Sequence, residues 1–219
     1  MLEFVPGLLD RGPAAVAAAR HALADLSAML YERGWAFGTS GNYSALLSHE
    51  PLRLLITASG RDKRRLTDTD FTIVDERGRT VDAGAPRPSA ETMLHVTLAQ
   101  RGCVGSVLHT HSTWNTVLSD LHAARGALRI EGYEMLKGLT GVTTHESAIE
   151  IPIFENTQDI PDLALRVAAR LDETGDGLPW AFLIRRHGLY TWGRDLAEAR
   201  RHVEILEFLF EVVGRSSGL

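Results

Sequence analysis

The mostly apolar run Val104 to Leu108 ends in His109-Thr110-His111. In an extended segment residues i and i+2 project to the same side, so both imidazoles can meet one metal ion. A bare H-x-H at a strand end also describes two solvated histidines, and the pair alone does not decide between the two. His187 changes the balance. It precedes Gly188 in Arg185-Arg186-His187-Gly188, a turn between short apolar runs, where the missing side chain lets backbone come close to a site. Three neutral imidazoles with a position left open are the arrangement of a catalytic zinc, whereas structural zinc is normally closed by four protein ligands. The single cysteine, Cys103, offers neither an internal disulfide nor a thiol cluster, so a metal here takes His, Asp or Glu. Cys103 itself is expected as a small core residue.

The other six histidines, His21, His49, His95, His122, His145 and His202, fall on expected helix faces or loops without comparable partners. Glu91 and His95, four apart, form a pair that could hold metal in principle but is expected as a plain helix-face contact. Three segments combine hydroxyls with backbone N–H groups in glycine-containing or helix-opening turns: Thr39-Ser40-Gly41-Asn42, Thr57-Ala58-Ser59-Gly60 and Pro88-Ser89-Ala90. Each alone is a turn; together they suggest one anion site. The basic run Arg61-Asp62-Lys63-Arg64-Arg65 reads as a solvated turn or as a rim that draws an anion in. Glu134 lies in the glycine-bounded stretch Gly132-Tyr133-Glu134-Met135-Leu136-Lys137-Gly138. Beside a metal-held carbonyl such a carboxylate can move protons; without that neighbour it is a surface glutamate.

The elements that must position these groups follow from periodicity. Val16, Ala19, Leu23, Leu26 and Leu30 step by three and four, which predicts a helix over 13–33 ended by Gly34. Tyr43–Leu47, Leu52–Thr57 and Phe71–Val74 read as antiparallel strands separated by turns, and Asp82–Pro88 as a loop. Ser89 is expected to cap a helix through Gln100, and Val104–Leu108 is expected as the buried strand that delivers His109. Helices over Thr113–Leu121, from near Asp162, and over Leu196–Val213, with strands Ala181–Ile184 and Leu189–Trp192, complete an antiparallel or mixed sheet between helix layers. No G-x-G-x-x-G or G-x-x-x-x-G-K is present, and no internal repeat.

Composition narrows the classes further. At 219 residues, 44% hydrophobic and 23% charged, the chain suits one sizeable globular domain. The formal net charge is -5, against a nucleic-acid-binding surface, which shows as a clustered basic excess. The longest apolar runs fall short of the ~20 residues that cross a bilayer. Met1 is followed by LEFVPGLLDRG, which lacks a basic stretch joined to an apolar one, so no export is expected and the cytoplasm is the expected compartment.

The set T-S-G-N at Thr39, A-S-G at Ala58, R-P-S-A-E at Arg87, L-H-T-H-S at Leu108, Y-E-M-L-K-G at Tyr133 and R-R-H-G-L-Y-T-W-G at Arg185 resembles the class II aldolase/adducin family over nearly the whole chain. The resemblance implies an α/β fold, a three-layer α-β-α sandwich with a central mainly antiparallel sheet, as a single domain over 1–219. It implies a homotetramer with sites at subunit contacts and one Zn2+, or another divalent metal, per subunit on His109, His111 and His187. Gly41, Asn42, Ser59, Gly60 and Ser89 fall where the family grips phosphate. Glu91 matches a glutamate used for proton transfer by aldolase members, and Glu134 the acid/base of a dehydratase branch. That branch removes water from a small phosphorylated, methylthio-bearing keto-sugar in methionine salvage. The E-M-L-K-G and R-R-H-G-x-Y-x-W-G segments resemble it specifically. The presence of Glu91 keeps a sugar-phosphate aldolase or epimerase as the alternative, and a non-catalytic adducin-like interaction module is a second.

Overall fold

The computed structural model describes residues 12–173 and 178–218; the leader reading at Met1 lies outside them. Five helices and eight strands follow in the order α1 (Pro13–Glu32), β1 (Asn42–His49), β2 (Leu52–Thr57), β3 (Phe71–Val74), α2 (Thr92–Ala99), β4 (Ser106–Thr110), α3 (Thr113–Leu121), β5 (Ala127–Glu131), β6 (Ala148–Phe154), α4 (Ile160–Asp172), β7 (Ala181–Ile184), β8 (Gly188–Gly193) and α5 (Leu196–Ser216). The strands form one sheet in the order β3-β2-β1-β4-β8-β7-β6-β5, antiparallel throughout except between β6 and β7.

Alternation along the strands divides the core between the two faces of this sheet. Leu55, Leu108, Leu183 and Leu189 point to one side, where Leu23, Leu26 and Leu30 of α1 and Val203, Leu206 and Phe210 of α5 cover them. Val107, Phe182, Ile184 and Tyr190 point to the other, against Leu94 and Leu98 of α2 and Leu163 and Val167 of α4. Leu54, Ile56 and Val74 extend that second layer onto Val96 and Ala99. The expected sandwich with a mainly antiparallel sheet is therefore what the chain forms. None of the described helices is long and apolar enough to cross a membrane.

Several expectations are corrected. The histidine strand runs two residues further than its apolar stretch, so His109 and Thr110 are inside β4 rather than beyond it. Ser89 does not cap α2: an isolated bridge between Ala58 and Pro88 holds the chain extended there, and the helix starts at Thr92 after a turn in which Thr92 N donates to Ser89 O at 3.2 Å. The helix expected near Asp162 starts at Ile160, because Asp159 accepts from Asp162 N and caps it. Strands β5 and β6 are additions to the expected set; their short alternating segments form the sheet edge. Cys103 is exposed rather than in the core, since it occupies the tight turn between α2 and β4 and only the following Val104 turns inward.

Candidate active site

Adjacent strands β1, β4 and β8 end together, and their register builds the site. Asn42 pairs with His109, and His109 with Tyr190, so these side chains share the face toward α2. His109 is fully buried, stacked on the Tyr190 ring at 4.1 Å between centroids and 15° between planes. His111 lies just past β4 with its N–H donating to Trp35 O at 2.8 Å. The turn between β7 and β8 carries His187 and is clamped to α3: Arg185 and Arg186 both bind the Asp120 carboxylate, at 2.7 and 2.9 Å. Arg186 N also donates to Ser119 Oγ at 3.0 Å.

Two glycines permit this convergence. A Cβ on Gly188 would lie 2.3 Å from Thr110 O and 2.9 Å from His109 Cε1, so only glycine allows the His187 turn to close on β4. Gly41 has φ +78 and a Cβ there would meet His109 O at 2.7 Å.

The outcome is a cluster of His109, His111 and His187 whose ligand atoms all lie within 4.8 Å of one another. His109 Nδ1 donates to Leu189 O at 2.9 Å, which leaves Nε2 as a lone-pair nitrogen, and that buried atom has no hydrogen-bond partner. Burial holds His109 well below the ordinary imidazole range and lowers His111 to about 3, so both are neutral at pH 7, the form that binds metal. An orphaned buried nitrogen beside two further imidazoles fits a divalent ion.

Glu91 reaches the same point. Its Oε1 is 3.2 Å from His187 Nε2 and its Oε2 is 3.4 Å from His109 Nε2. Asn42 Nδ2 donates to Glu91 at 2.8 Å and to Ser89 Oγ at 3.1 Å. With the amide nitrogen so used, Asn42 Oδ1 is left to accept from His95 Nε2, and His95 Nδ1 then accepts from Ser44 Oγ at 2.8 Å. Burial lowers His95 to about 3 and keeps it neutral. His95 is thus not the helix-face neighbour of Glu91; its ring turns into the sheet and orients Asn42, which orients Glu91.

A cleft of about 210 Å³ opens beside this cluster. All three hydroxyl-and-glycine segments meet in it: Gly41 and Asn42, Ser59 and Gly60, and Ser89 line it together with Glu91 and His111. Ser59 N donates to Arg87 O at 2.9 Å, which ties two of these segments together. Lys63 also lines the cleft, and it is the member of the basic run that neither sequence reading describes, being buried while Arg61, Arg64 and Arg65 are exposed. A usable signal is present in the sequence, because the chain has only two lysines among its 23 basic residues.

Glu134 is elsewhere in the chain's own fold. It begins the short 3-10 helix Glu134–Gly138 with an exposed carboxylate paired to Lys137 and 3.8 Å from His145. Lys137 beside it holds that carboxyl below its usual value. Glu134 does not line the cleft of its own chain.

A three-layer fold with this sheet order and a three-imidazole cluster beside a polar cleft defines a class of protein, and comparison gives it a family. Residues 21–213 match the Class II Aldolase and Adducin N-terminal domain family, and the chain belongs to it. Among named relatives, the methylthioribulose-1-phosphate dehydratase of Xanthomonas campestris pv. campestris (strain 8004) is 50% identical over 182 residues, 82% of this chain and 81% of the relative. That of Stenotrophomonas maltophilia (strain K279a) is 49% identical over 183 residues, 83% of each chain. Among solved structures, an L-fuculose 1-phosphate aldolase matches with TM-score 0.75 and 23% identity, over 92% of this chain and 87% of that one. The L-fuculose-1-phosphate aldolase from Thermus thermophilus matches with TM-score 0.66 and 25% identity, over 91% of this chain and 94% of that one.

Proposed function

We propose that this chain is a metal-dependent carbon–oxygen lyase, a methylthioribulose-1-phosphate dehydratase of methionine salvage. It converts 5-methylthioribulose 1-phosphate to 2,3-diketo-5-methylthiopentyl 1-phosphate. The observation that carries the reading is the three-histidine cluster opening on the polar cleft, in a chain half identical to relatives of that name. The chain acts as one domain, 1–219, in the cytoplasm, and assembles as a homotetramer as its family resemblance implies.

In this reading His109, His111 and His187 would hold one Zn2+, which would supply Lewis acidity and so make a proton beside a ketone easier to remove. Gly41, Asn42, Ser59, Gly60 and Ser89 hold the phosphate with hydroxyls and backbone N–H groups. Glu134 removes the carbon-3 proton and delivers a proton to the hydroxyl leaving carbon 4 as water. The carbon 3–carbon 4 enol that remains ketonises to the 2,3-diketone. The Glu134 carboxylate is exposed and outside its own chain's cleft, so this role requires a subunit contact that brings it to a neighbouring chain's site.

A second reading has a specific observation behind it. Glu91 touches both His109 and His187 and lines the cleft, which suits a proton carrier of the aldolase or epimerase kind. Product analysis separates the two. Metal-loaded protein given 5-methylthioribulose 1-phosphate should yield a product with the carbon chain intact and lighter by one water. Fragments from carbon–carbon cleavage, with no dehydrated product, would overturn the dehydratase reading in favour of the aldolase one.

A further inference from the structure

Lys63 is a buried charge that the metal centre does not use. It is 1% exposed, in a run whose three arginines face solvent. Its ammonium donates to two backbone carbonyls, Thr39 O at 3.1 Å and Arg61 O at 3.0 Å. An ammonium carries three donors, so one N–H is left over. No carboxylate pairs with it among the described residues. The acids beside it are engaged elsewhere: Asp62 binds Arg64 at 2.7 Å, and Asp70 lies 3.3 Å from Arg61. Burial lowers the Lys63 ammonium to about 8, with Asp62 and Asp70 pulling the other way. A buried cation without a counter-charge is costly unless something offsets its desolvation.

The cleft supplies the context. Lys63 lines it with Ser59, Gly60 and Ser89, and no other lysine or arginine among the described residues does. Hydroxyls and backbone N–H groups donate to a neutral sugar oxygen as well as to a phosphate oxygen, so they discriminate poorly between the two. A fixed, desolvated positive charge does discriminate, because charge-assisted hydrogen bonds are shorter and roughly twice as strong as neutral ones. The exposed arginines at 61, 64 and 65 are screened by salt and cannot substitute for it.

We propose that the Lys63 ammonium is the counter-charge for a dianionic phosphate seated against Ser59, Gly60 and Ser89, and that it sets the preference for phosphorylated over unphosphorylated ketoses. This rests on the reading above that the substrate is a phosphorylated keto-sugar.

The test uses metal-loaded wild type and Lys63→Gln, which deletes the charge but keeps an amide donor for the carbonyls. Calorimetric titration with inorganic phosphate should show a Kd ~10- to 100-fold weaker in the variant, the range of one charge-assisted bond. The preference for phosphorylated over unphosphorylated 5-methylthioribulose should shrink by a similar factor, through KM rather than kcat. A measurement on wild type covers a variant that fails to fold. With two lysines in the chain, 13Cε-lysine labelling gives two resonances, and phosphate should shift that of Lys63 and not that of Lys137. An unchanged phosphate Kd in Lys63→Gln, a loss confined to kcat, or a silent Lys63 resonance would each overturn the proposal. If wild type dehydrates the substrate while phosphate binding ignores Lys63, this inference fails and the function stands. If wild type binds phosphate through Lys63 but performs no dehydration, the function fails and the anion site stands.

Discussion

Glu207 of α5 is a carboxylic acid buried directly behind the histidine strand, 3% exposed. Asn115 Nδ2 and Thr110 Oγ1 donate to its Oε1 at 3.0 and 3.3 Å, and its Oε2 has no partner. Burial raises its pKa from 4.5 to about 7, against the hydrogen bonds that lower it. The folded state therefore holds this proton more tightly than the unfolded chain does. The stability it contributes is complete below pH 4.5 and is lost as pH rises through about 7. At ~1.4 kcal/mol per pH unit, the loss between pH 5 and pH 8 is about 2–3 kcal/mol. Buried histidines work in the opposite sense: His95 and His111 are depressed to about 3, so their contribution is present above 6.5 and is lost as pH falls. The whole-protein profile mixes these trends, and the difference between wild type and Glu207→Gln isolates the carboxyl. Urea unfolding of metal-free protein should show Glu207→Gln gaining about 2–3 kcal/mol on wild type between pH 5 and pH 8. That corresponds to roughly 5–10 °C in Tm for a chain of this size. Parallel stability profiles for the two proteins would refute the reasoning.

Gly188→Ala places a methyl 2.3 Å from Thr110 O and should cost ~1–3 kcal/mol and lower bound metal; wild-type stability and full metal in the variant would remove the close-approach argument. Chelation should strip the metal without unfolding the chain, because three hydrophobic clusters hold the sheet independently of the histidines; collapse of the far-ultraviolet circular dichroism on chelation would make the ion structural. Glu134→Gln should keep fold and metal and lose ~100-fold or more in turnover, with Glu91→Gln hurt less; the reverse order would transfer proton movement to Glu91.

Much of this arrangement is legible in the sequence where one local rule governs. Period-two alternation puts His109 and His111 on one side of an extended segment that ends β4, and the Arg-Arg-His-Gly turn marks His187. The three hydroxyl-and-glycine segments read as turns and do meet in one cleft. What escapes depends on contacts between distant segments. Lys63 looks like part of a solvated run, but Ser27 of α1 donates to its carbonyl at 2.7 Å and draws that loop against the helix. His95 looks like a partner of Glu91, yet strand β1 supplies Asn42 and Ser44 to its ring. Glu207 carries no sequence signal, since its burial comes from α5 packing across β4 and α3. The sequence offers two carboxylates for one role, and the fold brings only Glu91 to the cleft of its own chain.

The central claim is that dehydration takes place at a metal held by His109, His111 and His187. Zinc titrated into metal-free protein, with turnover of 5-methylthioribulose 1-phosphate and bound metal measured on each sample, tests it most directly. The account predicts that turnover rises in proportion to bound zinc up to one ion per chain, and that the His109→Ala, His111→Ala and His187→Ala variants lose both together. Dehydration at full rate in the metal-free protein, or full metal occupancy in His187→Ala, would contradict it.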